Sequence, residues 1–208
     1  MIKIAIAAAL ALTVLAACGA PAQDDAALAP PAAGTVKVVP PSTNITGLPY
    51  PATCVIGNAD GKVLPDPRCT PGAVTADITP DNIKTTICAK GWTSTVRAPE
   101  AETEPLKHTA MAAYGVKVPI GTVELDHLVP LELGGANDVA NLWPEPSDLP
   151  GHAYRNTKDT VEFALNRAVC SGKVTLSAAQ DAIATNWTTA LATLNVPATV
   201  AHKARSHG

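Results

Sequence analysis

Aromatic side chains make up only 3% of this 208-residue chain, with a single Phe, so a core must be assembled from Ala, Val, Leu and Ile. Basic residues are not in excess either. The formal net charge is −3, and residues 71–208 alone hold 11 Lys and Arg against 14 Asp and Glu, again −3. That balance argues against a strong nonspecific binder of nucleic acid, whose affinity comes from neutralising phosphates, while leaving room for a local basic groove. No Cys-x-x-Cys pair occurs, which removes the usual frame of a structural zinc. No phosphate-binding loop, dinucleotide fingerprint or internal repeat is present. The apolar run from Ile4 to Ala17 is shorter than a bilayer-spanning helix requires.

What that run does match is an address. Lys3 precedes it and Leu15-Ala16-Ala17-Cys18 closes it, which reads as a secretory signal over residues 1–17 with a small-residue cleavage site. A cysteine directly behind that tripeptide resembles the bacterial lipobox, which implies lipidation at Cys18 and a membrane contact through that anchor only. Gly19 after it resembles the outer-membrane sorting pattern, so the expected location is the cell envelope, facing the periplasm or the exterior. Residues 18–51 are rich in Pro and Ala with almost no large apolar side chain before Val36, which predicts a semi-rigid tether. The tail over residues 197–208, with His202 and His207, is expected to be flexible.

Setting Cys18 aside leaves Cys54, Cys69, Cys88 and Cys170, an even number in an exported chain, with three possible pairings. Cys54 and Cys69 flank a hairpin pattern with an Asp60-Gly61 turn, so residues 52–72 read as a small Cys-flanked hairpin and their pairing is the local choice. Cys88 then pairs with Cys170.

From 73 to 196 the pattern is helical around one interruption. Thr79-Pro80 reads as N-cap and first position of a helix carrying Ile83, Ile87 and Cys88 on one face, with Gly91 past its end. A second helix is predicted over Pro105 to Tyr114, with Leu106, Ala110 and Ala113 inward and His108 facing solvent. A third runs from Thr157 to Cys170 with Val161, Leu165, Ala168 and Val169 at core spacing. Ser177-Ala178-Ala179-Gln180 reads as a capping box opening the last, in which Ala179, Ile183, Trp187 and Leu191 face inward.

The interruption, VELDHLVPLELGGANDVANLWP at 123–144, is where chemically competent side chains crowd together. Val123 to Val129 reads as a buried strand carrying Asp126 and His127, and Pro130 ends it. Gly134-Gly135 and Asn137-Asp138 suit a loop, and Asn141-Leu142-Trp143-Pro144 reads as a second short strand. A hairpin thus presents a carboxylate suited to a hard cation, an imidazole suited to general-base work and an amide across the loop. Glu124 and Glu132 are further oxygen donors, each read as solvated at the hairpin edge.

These residues resemble the HNH endonucleases, whose ββα-metal motif runs Asp-His on one strand, a Gly-Gly loop with Asn-Leu on the next, and a helix bringing the third ligand. DHLVPLELGG and NLWP match the first two parts, and GHAYRNTKD matches the third, through Asn156 or His152. The stretch from Cys54 to Leu194, with LPDPRCTPG, TTICAKGW and AVCSGKVTL, resembles exported bacterial proteins with an HNH-like domain. The resemblance implies an α+β fold in which helices flank a hairpin–helix core stapled by disulfides. It implies one divalent ion, Mg2+ or alternatively Mn2+, Ni2+ or Zn2+, held by Asp126 with Asn156 or His152. It also implies His127 as general base, Asn141 as a brace of the loop whose hydrogen bonds aim His127, Lys158 as a contact to phosphate, and nucleic acid, DNA ahead of RNA, as substrate. The competing reading is a non-catalytic envelope lipoprotein in which Asp126-His127 is a buried structural pair and the fold is a binding module.

Overall fold

Asp60 and Gly61 both take positive φ, 51° and 80°, the backbone of the tight turn that joins right-twisted strands. They close an antiparallel hairpin of β2 (Gly57–Ala59) and β3 (Lys62–Leu64), and the Cys54–Cys69 disulfide crosses its base with the Cα atoms 6.0 Å apart. The computed structural model describes residues 36–51, 53–149 and 156–198. The expected signal, Cys18, His152, His202 and His207 lie outside these residues. Within them the fold is mixed α+β, with two disulfides and three two-stranded sheets.

Part of the segment expected as tether is built into the fold. β1 (Lys37–Val39) pairs in parallel with β4 (Ala73–Thr75), and Val39 is buried. Thr46 exchanges backbone hydrogen bonds with Asn137 and Val139. Composition undervalued this segment because open strand and loop edges satisfy its backbone groups, and that requires few apolar side chains.

The helix expected at 80–90 is replaced by consecutive turns. Asn82 Oδ1 accepts from Thr79 N, its Nδ2 donates to Asp77 O, and the hydroxyls of Thr85 and Thr86 donate to Asn82 O. Short polar side chains thus compete for the backbone that a helix would use. Gly91, at φ 81°, begins the short helix α1 (Trp92–Val96) rather than ending one. α2 spans Glu100–Ala113 with Pro105 inside it, five residues longer at its start than expected. It buries Lys107 and Ala110, while Leu106 and Ala113 are half-buried and His108 is exposed.

α3 (Lys158–Cys170) buries Leu165, Ala168 and Val169 with Ala164 and Lys158, and Val161 is half-buried. α4 (Leu176–Asn186) is capped by Thr175, whose hydroxyl accepts from Ala178 N, two residues before the expected Ser177. Gln180 does not reach back to the cap, because its Nε2 donates to Leu133 O in the interior. Leu165, Val169, Ala179, Ile183 and Trp187 meet Val74, Ile78, Val129 and Leu133 in the main core. Each such fully buried aliphatic side chain contributes about 1.5–3 kcal/mol. α5 (Ala190–Thr193) closes the chain of helices, and Cys88–Cys170 ties the 80–90 turns to the end of α3.

β5 (Val123–His127) and β6 (Leu142–Pro146) form the central hairpin, in register from Val123 opposite Pro146 to His127 opposite Leu142. β6 runs on through Pro144 rather than stopping there. In a two-stranded sheet each strand has a free edge, so a residue without N–H is tolerated. The loop doubles back so closely that a Cβ on Gly135 would sit 1.7 Å from Val129 O, which only glycine permits.

Candidate active site around His127 and Asp126

Successive side chains of a strand leave on opposite faces. Glu124 and Asp126 therefore share one face of the hairpin with Trp143 and Glu145, which lie opposite them in register, while His127 takes a separate set of neighbours. Both Asp126 and His127 are buried.

His127 Nε2 lies 3.0 Å from Asn137 Oδ1. The other end of that amide is committed: Nδ2 donates to Ser42 O at 2.9 Å and Val96 O at 2.7 Å. Oδ1 is then the acceptor, so Nε2 carries the imidazole proton and Nδ1 keeps its lone pair. Burial pulls the His127 pKa down to about 4, helped by Arg97 and Lys158 and opposed by the Asn137 hydrogen bond and by Asp126. The ring is therefore neutral across the physiological range.

Asn141 braces the loop, as expected, but does so through backbone groups alone. Its Oδ1 accepts from Ala73 N and Val129 N, and its Nδ2 donates to Val129 O and Ala136 O, all within 3.2 Å. It cinches the 129–136 loop shut without touching the imidazole. The side chain that aims His127 is Asn137, which the sequence presents only as a turn residue.

Lys158 also departs from its expected role. It is fully buried, and its ammonium contacts Asp126 Oδ2 at 2.8 Å, His127 O at 2.9 Å and the Glu162 carboxyl, so it has no access to a substrate phosphate. Burial works to lower its pKa, yet Asp126, Glu162 and Glu145 together hold it above the ordinary lysine value. One ammonium faces more carboxyl groups than it neutralises. Burial first, and then repulsion from Asp126 and Asp159, raise Glu124 to about 8. Burial and Asp126 likewise push Glu145 well up. Glu162 is raised by burial and Asp126 against the pull of Lys158. Glu124 is half-buried in this cluster rather than solvated at an edge. Glu132 is half-buried as well, and its carbonyl accepts from Asn166 Nδ2.

Asn156 is buried just ahead of α3, its Oδ1 accepting from Asp148 N at 3.0 Å and its backbone N donating to Asp159. Its Nδ2 has no partner among the described residues. A donor does not ligate a cation, so Asn156 offers a metal only the second lone pair of Oδ1.

Among the described residues no three His, Cys, Asp or Glu side chains converge as a ready-made cation cage. Asp126 still offers a hard oxygen, since Trp143 Nε1 and Lys158 both engage Oδ2. Mg2+ retains several waters and is commonly held by one or two carboxylates, so the second oxygen of Asp126, beside carboxyl groups that a cation would help to ionise, fits such an ion. Comparison with protein-family models, with curated proteins and with solved structures gave no match.

Proposed function

We propose that this chain is a metal-assisted phosphodiester hydrolase of the HNH type, acting on nucleic acid, DNA in preference to RNA, at the bacterial cell envelope. The observation that carries the reading is the His127–Asn137 pair, which leaves a neutral imidazole with a defined lone pair one residue from a carboxylate. In this reading β5, β6 and α3 are the two strands and the helix of a ββα-metal core, with Asn141 holding the loop between the strands.

His127 Nδ1 takes a proton from water as the water oxygen bonds to phosphorus and the bond from phosphorus to the 3′ oxygen breaks, the departing oxygen then taking a proton from solvent. An imidazole titrating near 4 is a weak base, but the anionic phosphodiester stabilises imidazolium and strengthens it as substrate arrives. Asn137 keeps Nε2–H occupied, so the proton is accepted at Nδ1 alone. Asp126, with Asn156 or His152, would hold a divalent ion, which supplies Lewis-acid stabilisation of the charge developing on phosphate oxygens. Lys158 fixes the Asp126 carboxylate and the carbonyl of His127 and so sets the strand end from which both groups project.

Two disulfides suit an oxidising compartment, and no helix among the described residues is long and apolar enough to cross a membrane. Attachment through a lipid on Cys18 is part of the same proposal.

One observation favours the second reading, a non-catalytic binding module: a lysine ammonium already lies against Asp126, where a metal would bind. Incubation of purified protein with supercoiled plasmid and with RNA, in Mg2+, Mn2+, Ni2+, Zn2+ or chelator, separates the two. The hydrolase cuts only with metal, and the binding module leaves both substrates intact under every condition.

A further inference from the structure

We propose that Arg97 seats the scissile phosphodiester beside His127, in a cavity that reads the nucleic-acid backbone and no base. This rests on the hydrolase reading and adds the group that binds its substrate.

A cavity of about 250 Å3 opens at His127 and is lined also by Arg97, Glu100, Thr103, Glu104 and Lys107. Arg97 is exposed, makes no hydrogen bond or ion pair with another described residue, and shares the lining of this cavity with His127. A planar guanidinium can donate two parallel N–H bonds to the two non-bridging oxygens of a phosphodiester. Lys158, the expected phosphate contact, is buried elsewhere, and Lys107, which also lines the cavity, is itself buried, so the solvent-facing positive charge that an acidic nuclease requires falls to Arg97.

The placement of Arg97 is fixed through the same amide that orients the base. Asn137 Oδ1 holds His127, while Asn137 Nδ2 holds the carbonyl of Val96, the residue before Arg97. On its other side the chain passes through buried Ala98 to Pro99, which leads into α2, and proline restricts both its own φ and the residue before it. Base and cation are thereby set in one frame.

The selectivity of the cavity follows from what lines it. It carries no Phe, Tyr or Trp, and its one ring, the His127 imidazole, is buried and held by Asn137, so contact is with phosphate and sugar, which position a strand without conveying sequence. Glu100 and Glu104 oppose a second phosphate, so the cavity admits one at Arg97.

The test uses the full-length protein in detergent micelles with supercoiled plasmid and Mg2+, reading initial rates against substrate concentration and salt. Arg97→Ala raises KM about tenfold or more and flattens the salt dependence by roughly one phosphate contact. Arg97→Lys keeps the charge without the fork and recovers part of the loss; it also carries the test if the alanine variant does not fold. Glu104→Gln lowers KM, and cleavage sites mapped on end-labelled DNA show no base preference. If wild type cuts while Arg97→Ala matches it in KM, kcat and salt dependence, this inference is overturned and the hydrolase reading stands. A base-specific cleavage pattern overturns the backbone-only limb. If wild type cuts nothing, the hydrolase reading falls and this inference with it.

Discussion

The imidazole of His127 is held by Asn137, whose Oδ1 lies 3.0 Å from Nε2 while its Nδ2 is bound to two backbone carbonyls. The amide cannot turn over without breaking both carbonyl bonds, so the proton of the ring is assigned to Nε2 by geometry alone.

Replacing that amide by a carboxylate should therefore change basicity without much change in shape. In Asn137→Asp a negative charge faces Nε2–H and stabilises imidazolium, so the His127 pKa rises and the acidic limb of the kcat/KM profile moves to higher pH. Asn137→Ala frees the ring and lowers kcat by about 10- to 100-fold, as loss of an orienting neighbour commonly does. Identical pH profiles for wild type and Asn137→Asp would count against this assignment.

Glu124 links the acidic cluster to stability. Its pKa is raised from 4.5 to about 8, so in that interval the folded chain keeps a proton that the unfolded chain has released. The corresponding stability is fully present below 4.5 and is lost as pH rises toward 8. Glu124→Gln resembles the protonated form, so relative to wild type it gains stability toward pH 8, by at most about 4 kcal/mol, and little near pH 4.5. Urea denaturation at both pH values checks this.

Lys158→Met leaves Asp126 and Glu162 buried without their cation. Removing one partner of a buried ion pair costs about 3–5 kcal/mol, so the melting temperature falls sharply. Lys158→Met combined with Glu162→Gln should lose less than Lys158→Met alone. A lysine that served substrate would show the opposite pattern, with KM affected and melting unchanged.

The 82-residue separation of Cys88 and Cys170 makes their disulfide a large constraint on the unfolded chain. In the loop-entropy model it is worth roughly 4 kcal/mol. Cys88→Ser with Cys170→Ser should lower the urea midpoint accordingly, and peptide mapping without reductant should recover the 88–170 pair.

Local signals were legible wherever one short stretch decides the outcome. The Asp60-Gly61 turn, the β5–β6 hairpin and the apolar faces of α3 and α4 follow from turn chemistry and periodicity. The pairing of β1 with β4 has no such signal, because three residues find their partner 36 positions away through backbone groups that every sequence carries. Lysine at a helical position reads as solvated, so the burial of Lys107 and Lys158 emerges only once the surrounding carboxylates and the packing of α2 and α3 are assembled. At 80–90 Asn82 outweighs the apolar spacing, and at 137 the same residue type has the pattern of a turn former while its side chain supports the imidazole. The candidate site is thus legible at Asp126 and His127, which the structure buries side by side at the end of β5. It is not legible at Asn137, whose contacts with His127, Ser42 and Val96 run across the fold.

The central claim is that His127 is the general base of a metal-assisted phosphodiester hydrolysis. The most direct measurement compares plasmid cleavage by wild type and His127→Ala in Mg2+, with folding of both followed by circular dichroism. Metal-dependent cleavage by wild type, reduced about 10²- to 10⁴-fold in a folded His127→Ala protein, is the predicted result. Intact plasmid with both proteins across metals and pH, and a lowered melting temperature as the only effect of the substitution, would contradict it.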